Sequence, residues 1–210
     1  MNEDSVSDAT AHVSYDQEDV KIIKTEPLYK GFFQCNKYTL KHKLFSGGWS
    51  PEIQLEFFER GHAAALLPYD VKNDKVVLIE QFRFGAMNGD RSPWLYELVA
   101  GIIEKGEVAE QVAKRETLEE SGLVVETCQF MLNYLVSPGG TTEHIDLFIG
   151  NVDSDLAGGL HGLIDEGEDI RVHVVSRETA YQWVKEGKIY NAATIIALQW
   201  LELNRHNLTI

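Results

Sequence analysis

The chain has 210 residues, of which 44% are hydrophobic and 25% charged, an ordinary composition for a globular protein with one good core. Its net charge of −14 argues against nucleic acid as the main partner, because phosphate backbones are bound by patches of lysine and arginine. No apolar run approaches the roughly 20 residues that span a bilayer. The acidic N-terminus lacks the features of a secretory signal, and Cys35 and Cys128 are too few for a disulfide framework. We therefore expect a cytoplasmic protein.

The first part of the chain is predicted to hold a tail and a small sheet. Residues 1–18 are polar and acidic without periodicity, which predicts a disordered tail. Residues 19–60 alternate apolar and polar side chains and contain a Gly-Gly turn at 47–48, which predicts about three antiparallel strands. Such an N-terminal sheet could pack on the main domain or on a partner subunit.

Residues 61–210 are predicted to form a mixed α/β layered domain, because strands lie on both sides of a central helix and two helices close the chain. That central helix follows Gly106 and ends at Gly122, a natural residue for a helix C-terminus. The other predicted elements are strands over 63–69, 75–84, 94–100 and 170–175, alternating segments on either side of the turn at 137–140, and helices over 178–188 and 192–206.

The central helix concentrates carboxylates on one part of its surface. Glu116, Glu119 and Glu120 lie three and four positions apart and so close together in a helix. Either water screens their repulsion or a cation neutralises it, and clustered carboxylate oxygens suit Mg²⁺ or Mn²⁺ rather than zinc. The helix pattern alone is more typical of a solvated acidic helix. The predicted apolar face of this helix consists of Val108, Val112 and Leu118.

The stretch from Gly101 to Leu123, GIIEKGEVAEQVAKRETLEESGL, resembles the Nudix box, the signature of the Nudix hydrolases. Every charged and glycine position of that signature is filled. Thr117 stands where the family prefers an aliphatic residue, a departure that bears on packing and not on metal binding. The resemblance implies an α/β fold with a mixed sheet, namely the Nudix α/β/α sandwich, here with an N-terminal antiparallel sheet.

Segments outside the box extend the resemblance to nearly the whole chain. YELVAG before the box, SPGGTTE after it, and EDIRVHVV followed by AYQWVKEGKIYNAATIIALQWL are similar to bacterial ADP-ribose pyrophosphatases of the Nudix family. The resemblance implies Mg²⁺-dependent cleavage of ADP-ribose to AMP and ribose 5-phosphate by a homodimer with exchanged N-terminal sheets. Gln54 and Leu55 stand where relatives carry arginines, which leaves another nucleoside diphosphate sugar open as substrate. A non-catalytic ADP-ribose sensor is disfavoured, because no box glutamate is lost.

The same resemblance assigns roles around the metal. It implies that Glu116, Glu120, Glu168 and the Ala100 carbonyl ligate the metal ions, with Glu119 as an auxiliary carboxylate. Glu166 is the expected general base, because a base on a separate loop is available when the helix glutamates are occupied as ligands. Two further box residues have structural roles: Arg115 orients the helix glutamates, and Glu107 lies at the junction of loop and helix.

The resemblance also implies a set of substrate contacts. Arg83 is expected at the diphosphate, which suits the bidentate geometry of arginine, or it merely pairs with Glu80 or Glu97 on a strand face. Two adjacent aromatic residues at 32–33 match a pair that the partner subunit offers to the adenine, and at most one of them is free to stack. The complete set of expected substrate contacts is Phe32, Phe33, Arg60, Arg83, Ile102, Ser137, Gly139 and Glu143.

Overall fold

The computed structural model describes residues 15–162 and 167–210, which divide into two compact units. One unit comprises residues 15–60 with 139–141, and the other the described parts of 61–138 and 142–210. Most of the predicted tail lies outside the described residues. The described part of that tail begins at residue 15, and there Gln17–Asp19 forms a 3₁₀ turn capped by the Asp16 side chain. The assignment of 19–60 to dimerisation and of 61–210 to a hydrolase domain stays a prediction.

The first unit contains a three-stranded antiparallel sheet, as predicted. Its strands are β1 (Val20–Lys30), β2 (Gln34–His42) and β3 (Ile53–Glu59), paired in that order. Gly47 and Gly48 lie between β2 and β3 with φ of 89° and 77°, a backbone region that glycine adopts without steric cost. The glycine pair therefore allows the tight reversal between these strands.

The second unit is built on an eight-stranded mixed sheet. Six strands follow the order β10-β11-β5-β4-β9-β8, with β6 paired to β5 and β7 paired to β4. Strands β4 and β9 are parallel, and the other pairs are antiparallel. The strand bounds are β4 His62–Asp70, β5 Lys75–Phe82, β6 Trp94–Glu97, β7 Val99–Ile103, β8 Cys128–Leu135, β9 His144–Asn151, β10 Leu160–His161 and β11 Ile170–Ser176.

The single strand predicted over 94–100 is wrong, because the chain changes partner within it. Strand β6 pairs with β5, whereas β7 pairs with β4. At the break, the Leu98 N–H donates to the Thr194 hydroxyl at 3.2 Å instead of joining a strand ladder. Strands β4 and β5 pair only beside their connecting turn, at Tyr69 and Asp70. Because β4 and β5 are not paired beyond that turn, the chain can pair first with β5 through β6 and then with β4 through β7.

Helices cover both faces of this sheet, which makes an α/β/α sandwich. Helix α1 (Ala109–Ser121) packs through Val112 and Ala113 against Ala64 and Leu66 of β4. The alternate β4 residues, Ala65 and Leu67, face the opposite side of the sheet. There they join a core formed with α2 (Arg177–Lys185) and α3 (Ala192–Asn204). In the residues that the structure describes, no helix is long and apolar enough to cross a bilayer.

The predicted apolar face of α1 is wrong for two of its three residues. Val112 is buried, but Val108 and Leu118 are 55% and 52% exposed. The buried face instead includes Thr117, whose hydroxyl donates to the Ala113 carbonyl at 2.7 Å and so satisfies itself within the helix. A face of small and polar residues lets the helix approach the sheet closely.

Candidate active site

The carboxylates of α1 divide between a buried and an exposed side of the helix. Glu120 is 5% exposed, and its Oε2 accepts a hydrogen bond from the Ala100 N–H of β7 at 3.2 Å. The Glu116 side chain is 16% exposed and lies over Gly101, where a Cβ atom would overlap its carboxylate. Glu119 points towards solvent with a side chain 43% exposed. The first glycine of the box therefore makes room for one of the glutamates.

Burial changes the acidity of the two inward-facing carboxylates. It raises the pKa of Glu120 to about 8, an effect that the Ala100 N–H opposes and the charges of Glu116 and Glu168 reinforce. Burial also raises the pKa of Glu116, against the attraction of Arg115. Desolvation and mutual repulsion both disfavour the charged forms. A cation at this place would reverse both effects.

Arg115 connects the box carboxylates to one another. Its Nη1 lies 2.9 Å from Oε1 of Glu116 and 3.2 Å from Oε2 of Glu119, and its Nη2 lies 3.7 Å from Oε1 of Glu107. The Glu107 carboxylate also accepts from the Glu104 N–H at 2.8 Å in the loop that precedes the helix. These contacts fit the predicted orienting role of Arg115 and the predicted place of Glu107 at the junction.

The end of α1 is close to the loop that carries Glu168. Gly122 ends the helix with φ of 70°, and a Cβ atom there would approach the His161 ring to 2.9 Å. Gly162, which follows His161 in the chain, is closely packed against Glu168. The charge of Glu168 acts on both inward-facing glutamates. The predicted general base, Glu166, lies outside the described residues.

Arg83 follows β5 and forms an ion pair with Glu97, one of the two partners predicted as the alternative to a diphosphate contact. Its Nε lies 2.7 Å from Oε2 of Glu97, and it makes no ion pair with Glu80 among the described residues. Its charge also acts on Glu120, where it lowers the pKa against burial. Arg83 therefore belongs to the same electrostatic environment as the box glutamates.

Two of the other predicted substrate contacts differ sharply in exposure. Phe32 is 87% exposed, whereas Phe33 packs against Phe58 and lies under the Arg60 guanidinium, 5.3 Å from the ring centroid. Of this adjacent pair, Phe32 is therefore the ring that is largely exposed, and it contacts Phe33 edge to face with ring centroids 4.7 Å apart. Gly139 belongs to that unit as well.

The remaining expected contacts lie in the second unit. Ser137 is exposed, Ile102 is 38% exposed, and Glu143 is 6% exposed. The charge of Glu143 acts on the Tyr134 hydroxyl, whose pKa is raised to about 12, chiefly by burial. The substrate roles of these residues stay predictions.

Comparison with known proteins decides the family. The NUDIX domain family matches residues 59–198, a span that contains α1 and the whole stretch from Gly101 to Leu123. The chain belongs to the Nudix family. The predicted identity of the box, the α/β sandwich and the Nudix hydrolase class are thereby confirmed.

Curated relatives of this Nudix protein match over most of their length. An ADP-ribose pyrophosphatase of Escherichia coli (strain K12) is 56% identical, with 93% of this chain and 94% of the relative covered. An ADP-ribose pyrophosphatase of Haemophilus influenzae is 50% identical, with 90% and 89% covered. A GDP-mannose pyrophosphatase of Yersinia pestis is 32% identical, with 88% and 92% covered. A solved structure titled as that of an ADP compounds hydrolase shares the fold, with a TM-score of 0.70 at 17% identity over 94% of this chain and 100% of the other.

Nudix hydrolases generally need divalent metal ions, and the donor chemistry of this site fits that need. Glu116, Glu120 and Glu168 place negative charge in one partly desolvated region. All three offer the oxygen donors that hard cations prefer. Across 15–162 and 167–210, however, no three His, Cys, Asp or Glu side chains form a ready-made metal cluster. The Glu116 carboxylate is turned onto Arg115 instead.

Sequence reasoning gave too little weight to two residues beside Arg83. The sequence predicts Glu97 only as a possible ion-pair partner of Arg83 and predicts no role for Gln81. Both are polar residues inside apolar strand sequences, VVLIEQF and WLYELVA, and that was the available signal. The opposing strands bring them together, because Gln81 pairs with Leu95 and Ile79 with Glu97.

Proposed function

We propose that this Nudix hydrolase cleaves the diphosphate of ADP-ribose to AMP and ribose 5-phosphate with Mg²⁺, for which Mn²⁺ can substitute. The observation that carries the proposal is the 56% identity, over 93% of the chain, to the Escherichia coli protein named ADP-ribose pyrophosphatase. The buried carboxylates of α1 and the arginine beside them support it, because they join a potential cation site to an anion-binding group.

In this proposal two box glutamates hold the metal ions together with two groups outside the box. Glu116, Glu120, Glu168 and the Ala100 carbonyl are the ligands, with Glu119 as an auxiliary carboxylate at the exposed side. When bound, the metal ions withdraw charge from the diphosphate oxygens. The Ala100 N–H keeps the Glu120 carboxylate oriented. Arg115 restrains Glu116 and Glu119, so that the helix presents its oxygens in a fixed arrangement.

The other residues bind substrate and move the proton. Arg83 contacts the diphosphate, and Glu166 accepts a proton from the attacking water. The water oxygen forms a bond to one phosphorus, the anhydride P–O bond breaks, and AMP and ribose 5-phosphate carry the two phosphates away. The remaining proposed contacts are Phe32 and Phe33 at the adenine, Glu143 at ribose hydroxyls, and Arg60, Ile102, Ser137 and Gly139 around the substrate.

A homodimer through the N-terminal sheet is part of the proposal. Strand β1 exposes large apolar side chains, including Ile22, Ile23 and Tyr29 at 62%, 51% and 64%. Adjacent exposed apolar residues are typical of protein interfaces. Light scattering after size exclusion should give twice the chain mass of 23.7 kDa.

A cytoplasmic location is also part of the proposal. Cys35 and Cys128 are free thiols, which supports a reducing, cytoplasmic location.

A second candidate substrate is another nucleoside diphosphate sugar. The 32% identical relative from Yersinia pestis is named GDP-mannose pyrophosphatase. Gln54 and Leu55, which stand where relatives carry arginines, lie on β3, and Leu55 is 38% exposed. If those positions contact substrate, the loss of two positive charges would change its selection.

The deciding experiment ranks kcat/KM for ADP-ribose, GDP-mannose, ADP-glucose and NADH with Mg²⁺. ADP-ribose should have the highest value, and AMP and ribose 5-phosphate should appear in equal amounts. Absence of AMP at high enzyme concentration would exclude the proposal, and a higher value for GDP-mannose would favour the second candidate.

Three variants test the roles of the glutamates. Glu120→Gln should nearly abolish turnover and recover partly at high Mg²⁺ or Mn²⁺, because a ligand is weakened. Glu166→Gln should lower kcat and leave metal affinity nearly unchanged. Glu110→Gln is the matched control, because Glu110 lies on the same helix and, within 15–162 and 167–210, forms an ion pair with Lys114 alone. Identical behaviour of the first two variants would contradict the division between ligand and base.

A further inference from the structure

A buried polar pair lies behind Arg83 and has no role in the reaction described so far. Glu97 ends β6 with a side chain 15% exposed, and Gln81 on β5 is 6% exposed. Glutamate and glutamine are seldom buried to this degree unless their polar atoms are used. Apart from Arg83, the neighbouring strand residues Ile79 and Leu95 are apolar and buried.

The contact between Arg83 and Glu97 uses only one edge of the guanidinium. Nε donates to Oε2 of Glu97 at 2.7 Å, and burial and the charge of Arg83 act in opposite directions on the pKa of Glu97. The Arg83 side chain is 48% exposed, and its two terminal nitrogens donate to no other side chain in the described ranges. An arginine held at Nε keeps both terminal NH₂ groups available for the oxygens of an anion.

Gln81 lies on β5, next to the strand that carries Glu97, and its amide nitrogen donates no hydrogen bond in the described residues. Its Nε2 is the one buried side-chain nitrogen or oxygen without a hydrogen bond in the described part of the chain. The strand register places Gln81 and Glu97 diagonally across β5 and β6, and Gln81 acts to lower the pKa of Glu97 against burial. Leaving a buried amide donor without a partner is unfavourable, so Gln81 marks this part of the sheet as a polar site rather than ordinary apolar core.

We infer that Glu97 is a positioning residue that fixes Arg83 at Nε, so that its terminal nitrogens face the substrate diphosphate. This inference rests on the proposed function for the identity of the anion. A free arginine side chain loses rotamer entropy when it binds an anion, and Glu97 removes much of that freedom before substrate arrives. The ion pair is therefore compatible with a substrate role for Arg83 and prepares the side chain for it.

Two substitutions separate the positioning role from a merely structural one. Glu97→Gln keeps an oxygen that accepts from Nε, whereas Glu97→Met has similar size and no acceptor. Glu97→Met should lower kcat/KM for ADP-ribose roughly 10- to 100-fold, mainly through a higher KM, because a misplaced binding group can cost two orders of magnitude. Glu97→Gln should stay within about fivefold of the wild type, because the orienting hydrogen bond remains.

A double-mutant cycle with Arg83→Ala gives the decisive measurement. If Glu97 acts through Arg83, Glu97→Met should have almost no further effect on kcat/KM in the Arg83→Ala background. Dissociation constants for α,β-methylene ADP-ribose, measured by calorimetry, should show the same non-additivity without turnover. Glu80→Met is the control, because Glu80 on β5 pairs with His173 and Arg171 and lies outside the proposed machinery.

The outcomes distinguish this inference from the proposed function. Independent, multiplicative effects of the two substitutions, or equal losses in Glu97→Gln and Glu97→Met, would overturn the positioning role. A wild-type protein that cleaves GDP-mannose and not ADP-ribose would overturn the proposed substrate alone, and the cycle would then be measured on GDP-mannose. Melting temperatures of all variants show whether Glu97→Met is folded, and if it is not, the cycle is run with Glu97→Asp, whose shorter side chain withdraws the carboxylate from Arg83 Nε.

Discussion

The buried carboxylate of Glu120 predicts that the metal-free protein is less stable at alkaline pH than its Glu120→Gln variant. Burial raises the pKa of Glu120 from the ordinary value of 4.5 to about 8. As the pH rises through that window, the unfolded chain releases the proton before the folded protein does, so folding loses stability. Glutamine cannot ionise, and its side-chain oxygen can still accept from the Ala100 N–H.

The size of the effect follows from the two pKa values. A difference of about 3.5 corresponds to about 5 kcal/mol well above pH 8, since each pKa unit is worth about 1.4 kcal/mol. The penalty on the wild type is about 1 kcal/mol at pH 5 and about 4 kcal/mol at pH 8. The stability advantage of Glu120→Gln should therefore grow by about 3 kcal/mol, or about 6–12 °C in Tm for a chain of this size.

Urea unfolding and thermal melts in EDTA between pH 5 and pH 9 measure this difference. Glu110→Gln, which removes a carboxylate 47% exposed on the same helix, should change stability by less than about 1 kcal/mol at every pH. Millimolar Mg²⁺ should stabilise the wild type and reduce the advantage of Glu120→Gln, because the cation binds only the native carboxylate site. An advantage that is the same at pH 5 and pH 8 would refute the argument, since Glu120 would then ionise in the folded protein as easily as in water.

Three further predictions concern single side chains. Gly101→Ala should shift Tm by only a few degrees, because the flexible end of Glu116 can move aside. It should lower metal-dependent turnover at least about tenfold. Unchanged activation by Mg²⁺ would contradict this prediction. Gly122→Ala should cost about 1–3 kcal/mol in urea unfolding, from its φ of 70° and its contact with His161, and adding His161→Ala should restore only the contact part. Arg177→Ala should cost about 3 kcal/mol, because a guanidinium whose side chain is 12% exposed leaves two carboxylate partners; a loss below about 1 kcal/mol would show that solvent screens these pairs.

Much of the fold could be predicted from local patterns. Alternation of apolar and polar residues located the three strands of the first unit, and the turn at Asn73-Asp74 separated β4 from β5. Asp74 adopts a φ of 51°, a conformation that aspartate tolerates better than most residues. The split between β6 and β7 was missed because apolar residues continue through Leu98. Only Thr194, 96 positions later in the sequence, accepts the hydrogen bond that marks the break.

The sequence by itself determined that one helix carries Glu116, Glu119 and Glu120 between glycines, since spacing and helix signals are local properties. Only the tertiary structure decided that Glu120 is buried against the Ala100 amide while Glu119 faces solvent. The reason is that a helix pattern fixes which residues are neighbours but not which side meets the sheet when the buried face is polar.

The position of Arg83 likewise depends on the tertiary structure as well as on the sequence. The sequence leaves open whether Arg83 contacts the diphosphate or pairs with Glu80 or Glu97, and only the folded chain shows that it meets Glu97. Pairing of β5 with β6 brings Glu97 beside Ile79, and the chain returns past Arg83 through the Pro93 carbonyl, which accepts from the Arg83 N–H at 2.8 Å. Strand register is set by the packing of the whole sheet, so the orientation of this arginine appears only when the chain is folded.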